Sequence, residues 1–438
     1  MRTRNKTLMW LALLATNALG LSTHAAGPWT FERAIGHALT NSPDARIAQS
    51  RIAAAQAGLQ QANAALWPQL QLQSGYTSSD NPVTVFGYAL NQRSYSSSLN
   101  FNDVPNADNL NVRGVLSMPL YNGGRTKAGR EAARAGSEVA RYKAEAVRNT
   151  LAFEVARTFH SVLKSREFIR ATEEAVHSFE NNLIIASNRF NAGTILKTEL
   201  LDVDVRLSQA REDFVRARNA NALAERALRS LLGLESGEFS VADSAPAVSA
   251  PATGGTSARP ELAALREQKR AAESDVRRAK SGYLPRVDAF GSLDYDRGWR
   301  FDGDGTSYTV GVMAQWSLWD GELTRGKVSQ ARADLEAAQE EERKLRLAID
   351  FEAEQARLNL NSATERLAVT KKSAAQAAES VELTRARFEQ GLAIATQLID
   401  AETALTAVRV RGAEAEADQR IAIAALRKAL GLSQLPTQ

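Results

Sequence analysis

The chain carries one short stretch twice. Arg189-Phe190-Asn191-Ala192-Gly193-Thr194-Ile195-Leu196-Lys197-Thr198-Glu199-Leu200-Leu201-Asp202 returns 198 residues later, without a gap, as Arg387-Phe388-Glu389-Gln390-Gly391-Leu392-Ala393-Ile394-Ala395-Thr396-Gln397-Leu398-Ile399-Asp400. A Gly after a helical run ending in Arg is the usual stop, because Gly takes the left-handed conformation cheaply. Each copy lies between two charged helical runs, so each reads as the tip of a long helical hairpin. The runs entering the tips, 125 to about 188 and 322 to about 386, contain no Pro and are dense in Ala, Arg and Glu. Each holds ~60 residues, or ~90–100 Å of helix at 1.5 Å per residue. No globular core needs such a length. Beyond the tips, Leu200, Val203, Leu207, Ala210, Phe214 and Ala217 follow coiled-coil seam spacing, largely repeated by Leu398, Ala401, Leu405, Val408 and Ala415.

The duplication extends over the half-chains. Ser42-Pro43-Asp44 supplies an N-cap, a Pro at the first helical position and an acid in the first turn; Arg259-Pro260-Glu261 repeats the Pro and the acid. Each opened helix runs into another Pro, Pro68 or Pro285, and the period then changes from 3.6 to 2. Leu70, Leu72, Ser74 and Tyr76 alternate with Gln69, Gln71, Gln73 and Gly75. The same alternation recurs from Leu110 to Leu120, Val287 to Tyr295 and Tyr308 to Leu318. Strand pairs are expected at about 68–78 with 109–121 and at about 285–296 with 307–319. Their alternating faces and ~9–11 residue length suit a membrane-spanning β-strand. Trp67, Tyr121, Tyr283, Trp316 and Trp319 cluster at the helix-side ends, where an interfacial girdle would sit. A soluble sheet with one packed face is the competing reading. Four strands cannot close a barrel, and lipid does not tolerate an open edge, so membrane strands would have to be pooled between chains.

The expected organisation is an export segment over 1–26, a first repeat over 27–234, a linker over 235–258 rich in Ser, Ala, Pro and Gly, and a second repeat over 259–438. Residues 1–26 run from Arg2, Arg4 and Lys6 through an apolar stretch to Ala25-Ala26, the order of a cleaved signal peptide. An uncleaved anchor is the alternative, although the apolar run is short of the ~20 residues that span a bilayer. The chain has no Cys, which excludes disulfides, thiolate metal sites and an acylated N-terminal Cys. Its 54 basic and 50 acidic residues are interleaved along helices and form no cluster suited to nucleic acid.

In this order, and twice over, these features resemble the TolC-type outer-membrane efflux proteins. The likeness rests on the Asn41-Ser42-Pro43 and Arg259-Pro260-Glu261 starts, the Tyr121-Asn122-Gly123-Gly124 and Trp319-Asp320-Gly321 turns, and the two Arg-Phe-x-x-Gly tips. It implies a mainly α protein with a small β part. Duplicated helical hairpins would form an α-helical barrel across the periplasm. Four strands per chain would be pooled by a homotrimer into a 12-stranded barrel in outer-membrane lipid. It further implies a passive exit duct of a tripartite efflux or type I secretion system, joined through a periplasmic adaptor to an inner-membrane pump, ABC-type or proton-driven. Arg189, Gly193, Thr194, Arg387, Gly391 and Leu392 hold the positions where such tips meet the adaptor. Glu199, Asp202, Gln397 and Asp400 hold those of the aperture ring, with Gln397 standing where an acid is common. The missing lipid-anchor Cys leans towards ducts of the protein-secretion type.

No catalytic, cofactor or metal site is expected. The histidines are too few and scattered. Asp302-Gly303-Asp304-Gly305 lacks the remaining ligands of a calcium loop and reads as a hairpin turn. Gly123-Gly124 lacks the Lys-Ser/Thr of a phosphate loop. An exported coiled-coil scaffold or adhesin without a pore stays open as the second function.

Overall fold

The computed structural model describes residues 27–435 except 101, 237–238, 247 and 252–254. The export segment expected over 1–26 lies outside the described residues. Two equivalent halves follow one another. The first holds α1 (Phe31–Asn41), α2 (Pro43–Ala64), β1 (Gln69–Ser79), α3 (Pro82–Asn91), β2 (Ala107–Tyr121), α4 (Arg125–Asn191) and α5 (Lys197–Leu231). The second holds α6 (Pro260–Lys280), β3 (Arg286–Gly298), β4 (Gly303–Gln315), α7 (Leu323–Glu389) and α8 (Ala395–Ala429). The entering helices α4 and α7 have 67 residues each, and the returning helices α5 and α8 have 35. At 1.5 Å per residue, α4 and α7 are each ~100 Å long.

The helix starts follow local chemistry. Ser42 Oγ accepts from Ala45 N–H at 3.2 Å, with Pro43 next in line. At α6 the equivalent Arg259 gives no side-chain cap. It is buried instead, bridges Glu261 and Glu352 at 2.9 and 3.0 Å, and donates to the Lys428 and Ala429 carbonyls. The end of α8 is thereby tied to the start of α6.

The largest core lies where the short helices meet the long ones. Trp29, Phe31, Ile35, Val155, Phe159, Leu228 and Leu232 pack there with Val241 of the linker. Trp29 and Val241 form a parallel bridge. Arg166 donates to the Val241 carbonyl at 2.8 Å and pairs with Glu225 and Asp243. Arg420 and Arg427 donate to the Pro246 and Ser249 carbonyls. His160 is buried in this belt. Burial, and then the charge of Arg420, push its imidazole down to about 4.

The strands form one antiparallel sheet in the order β1-β2-β3-β4, so β1 and β4 are edges. One face carries Leu70, Leu72, Val112, Leu116, Leu293, Tyr308, Val310 and Val312. That face is bare in the single chain: Leu72 is 79% and Val310 75% exposed. The other face carries Gln71, Gln73, Asn111, Arg113, Ser292, Asp294 and Asp296. A water-soluble sheet buries its apolar face, so the packed-sheet alternative fails. Trp67, Tyr121, Tyr283, Trp316 and Trp319 are all exposed at the helix-side ends. Among the described residues no helix is long and apolar enough to cross a membrane.

Three details differ from the sequence reading. Between β1 and β2 lies a helix that the sequence reading did not place, α3, capped by Asn81, whose side chain accepts from Val83 and Thr84 N–H. The second hairpin is tighter than 296–307, because pairing continues through Asp296↔Gly305 to Gly298↔Gly303. The fourth strand ends at Gln315 rather than 319; the Trp316 indole donates to the Tyr283 carbonyl at 3.1 Å, off the ladder.

Candidate functional site: the paired helical tips

Both tips close by the same backbone device. Thr194 N–H donates to Arg189 O at 2.9 Å, and Gly193 N–H to Phe190 O at 2.9 Å. Leu392 and Gly391 repeat this with Arg387 O at 2.8 Å and Phe388 O at 3.0 Å. This is the Schellman arrangement, which needs a left-handed residue next to last. Gly193 and Gly391 supply it with φ of +71° and +81°.

The residues after each glycine start the returning helices. Glu199 accepts from Leu196 N–H at 3.2 Å, and Gln397 from Ile394 N–H at 3.4 Å. These two aperture candidates therefore have a local task, satisfying a free N–H at a helix start. Gln can do this as well as an acid, which accounts physically for Gln397. Asp202 and Asp400 are exposed, and neither side chain has a hydrogen bond or ion pair among the described residues. Among the described residues no hydrogen bond joins the four aperture candidates to one another.

The tips are joined to each other by one arginine. Arg189 Nη1 donates to Phe388 O at 2.8 Å, and its guanidinium lies 4.8 Å from the Phe388 ring centre. Arg387, its counterpart, is exposed and has no such partner among the described residues. Phe388 is fully buried, whereas Phe190 is 36% exposed. Around Phe388, Ala393, Ala395, Leu398 and Ile399 pack on Phe179 and Ala186 of α4 and on Val203 and Leu207 of α5. The second tip is seated on the first hairpin. Thr194, Leu196 and Leu392 stay exposed at the end.

A polar cluster that sequence reasoning missed lies just behind the seated tip. Glu402 of α8 is 3% exposed. Its Oε1 accepts from Ser178 Oγ of α4 at 2.6 Å and from Arg385 Nη2 of α7 at 2.5 Å. Asn182 of α4 is also buried, and neither polar atom of its amide has a partner among the described residues. Arg409 of α8 reaches Glu174 of α4 at 2.6 Å. No local signal marks it, since Glu402 stands where the first copy has another acid, Asp204, which is exposed.

A bare apolar sheet with open edges, continuous with helices of this length and ending in closed tips, defines a membrane-inserted duct assembled from several chains. The family model described as outer membrane efflux protein matches residues 34–234 and 256–432. The chain belongs to that family. It is 23% identical to the outer membrane protein TolC of Vibrio cholerae, over 96% of this chain and 95% of that protein. A membrane protein from Pseudomonas aeruginosa has the same fold, with TM-score 0.82, 22% identity and coverage of 92% of this chain and 90% of that one. The outer membrane protein VceC from Vibrio cholerae follows, with TM-score 0.78, 18% identity and coverage of 92% and 96%. Members of the family are channels of the Gram-negative outer membrane and not enzymes, so the scaffold alternative closes.

Proposed function

We propose that this chain is the exit duct of a tripartite export machine. Three copies pool their strands into a 12-stranded barrel in outer-membrane lipid and align their helices into a tunnel across the periplasm. Residues 1–26 direct export and are cleaved. Transport is passive, and an inner-membrane pump supplies the energy. The observation that carries this reading is the bare apolar face of a four-stranded sheet whose two edges are unpaired.

The tips divide the work. Thr194, with Arg189 and Gly193 behind it, belongs to the exposed first tip and presents a surface for a periplasmic adaptor, together with Arg387, Gly391 and Leu392. Asp400 lines the aperture, with Glu199, Asp202 and Gln397 beside it. Three Asp400 carboxylates around one axis repel one another. At an effective dielectric of about 20, two unit charges at ~4 Å interact by about 4 kcal/mol, and at ~6–8 Å by roughly half of that. The Glu402 cluster and the Arg189 bond oppose the repulsion by holding each second tip to its own first hairpin. A bound adaptor then needs only a differential affinity of a few kcal/mol to open the ring.

The test is a photo-crosslink from Thr194 in living cells, with mass spectrometry of the product. Capture of a periplasmic adaptor is the expected result. An adaptor of an ATP-driven exporter would make protein or peptide the leading cargo, and one of a proton-driven pump would make it small molecules or metal ions. Capture of no periplasmic partner would overturn the tip assignment.

A further inference from the structure

The tips are one end of the duct; α3 stands at the other, and the tip mechanism does not use it. It lies on the polar face of the sheet. Gly298, Gly303 and Gly305 share that face with Asp296, and a Cβ on any of them would run into Asn91 or Gln92. Gln92 is buried, and its amide donates to Asp108 O at 2.8 Å and Asn109 Oδ1 at 2.9 Å. Asn109 in turn donates to Asp296 at 2.6 Å. Tyr88 donates to Thr77 at 2.6 Å, and Arg93, at φ 54°, to the Thr306 carbonyl at 3.3 Å. Three glycines and a buried amide network hold α3 in place. In a membrane barrel the apolar face meets lipid and the polar face meets the lumen. The helix therefore sits inside the outer mouth.

Its own sides are unlike. Val85, Ala89 and Gln92 face the sheet and are buried. Val83, Phe86 and Leu90 lie on the opposite side, and Val83 is 81% exposed. At 3.6 residues per turn, this stripe is centred more than ~100° from the buried one. Tyr95 extends it, stacked edge-on against Phe86 with ring centres 6.0 Å apart. An apolar stripe turned towards a lumen is costly while it faces water.

We propose that the stripe is covered by the α3 helices of the other two chains, so that three copies meet at the axis and close the exit as an apolar collar. The proposal rests on the trimeric duct reading. Dimensions support it. Twelve strands about 4.8 Å apart and tilted by about 40° enclose a barrel of radius about 12 Å. A helix with its side chains is about 10 Å across. Three such helices inside that mouth leave no wide passage. Cargo leaves only when α3 is displaced or its stripes part, which makes the exit a second gate, apolar where the periplasmic one is charged.

The chain has no Cys, so a single introduced thiol reports one site cleanly. Purified trimers of Leu90→Cys are oxidised mildly and run without reductant, and their conductance is read in planar bilayers. A disulfide needs Cα atoms within ~7 Å. The expected result is a linked pair of chains within one trimer and a fall in conductance. In the second variant, Phe86→Ser with Leu90→Ser, conductance should rise several-fold in trimers of normal heat stability. Intact trimers with no crosslink and unchanged conductance in both variants would overturn the collar. Links formed only between separate trimers would also overturn it, by placing the stripe outside. A wild-type protein with no conducting trimer would instead remove the duct reading, and the collar with it.

Discussion

The two tips share a motif and a backbone closure, yet they stand in different surroundings. Gly193 and Gly391 take the same left-handed turn, and Glu199 and Gln397 satisfy the same helix start. Beyond the turn the copies part. Phe388 is buried where Phe190 is partly exposed, and Glu402 is buried where Asp204 is exposed. Arg211 of α5 pairs with Glu180 inside its own hairpin at 2.9 Å, while its counterpart Arg409 of α8 crosses to Glu174 of the other hairpin. The first hairpin is a support, and the second is what it holds. A duplicated sequence becomes a supporting part and a held part once one copy docks on the other.

The largest effect should come from the buried carboxylate. Glu402 accepts two charged hydrogen bonds, from Ser178 and Arg385, each worth about 1.5–3 kcal/mol. Glu402→Ala should therefore unseat the start of α8, and hydrogen exchange at residues 395–402 should accelerate while that at 197–204 stays put. Next comes a contrast with the belt of the molecule. The buried His160 is held neutral, with its pKa down at about 4. Its contribution is complete above pH ~6.5 and is lost as pH falls from there towards about 4, because the unfolded chain then binds a proton the folded one refuses. At 1.36 kcal/mol per pKa unit the loss is roughly 3 kcal/mol per chain. Denaturant midpoints measured across that range should show the loss, and His160→Leu should flatten it. The tip arginines give a smaller, sharper contrast. Arg189→Ala removes a charged hydrogen bond worth about 1.5–3 kcal/mol. Arg387→Ala should stay within about 0.5 kcal/mol, as exposed substitutions do. Protease sensitivity near Phe388 should rise only in the first variant. Smallest in stability is Asp400→Ala, whose readout is selectivity: reversal potentials in a salt gradient should fall towards zero, and unchanged potentials would discard the aspartate ring.

Much of this architecture was legible in the residues. Periodicity and the Pro and Gly punctuation located the long helices, the alternating strands and both tips, because those signals are local. The inequality of the tips was not, since Asp204 and Glu402 sit in matching patterns and only packing buries one of them. Helix α3 was hidden by the Ser- and Asn-rich residues around it, although Asn81-Pro82 is an ordinary helix start. The capping task of Glu199 and Gln397 was hidden too, because it is visible only once the turn before them has formed.

The repeat itself provides the most direct test. Single-channel conductance of Glu402→Gln trimers should be compared with that of Asp204→Asn trimers, the same chemical change in the two copies. A seated, releasable second tip predicts a several-fold rise for Glu402→Gln and none for Asp204→Asn. Equal conductance in the two variants would contradict it.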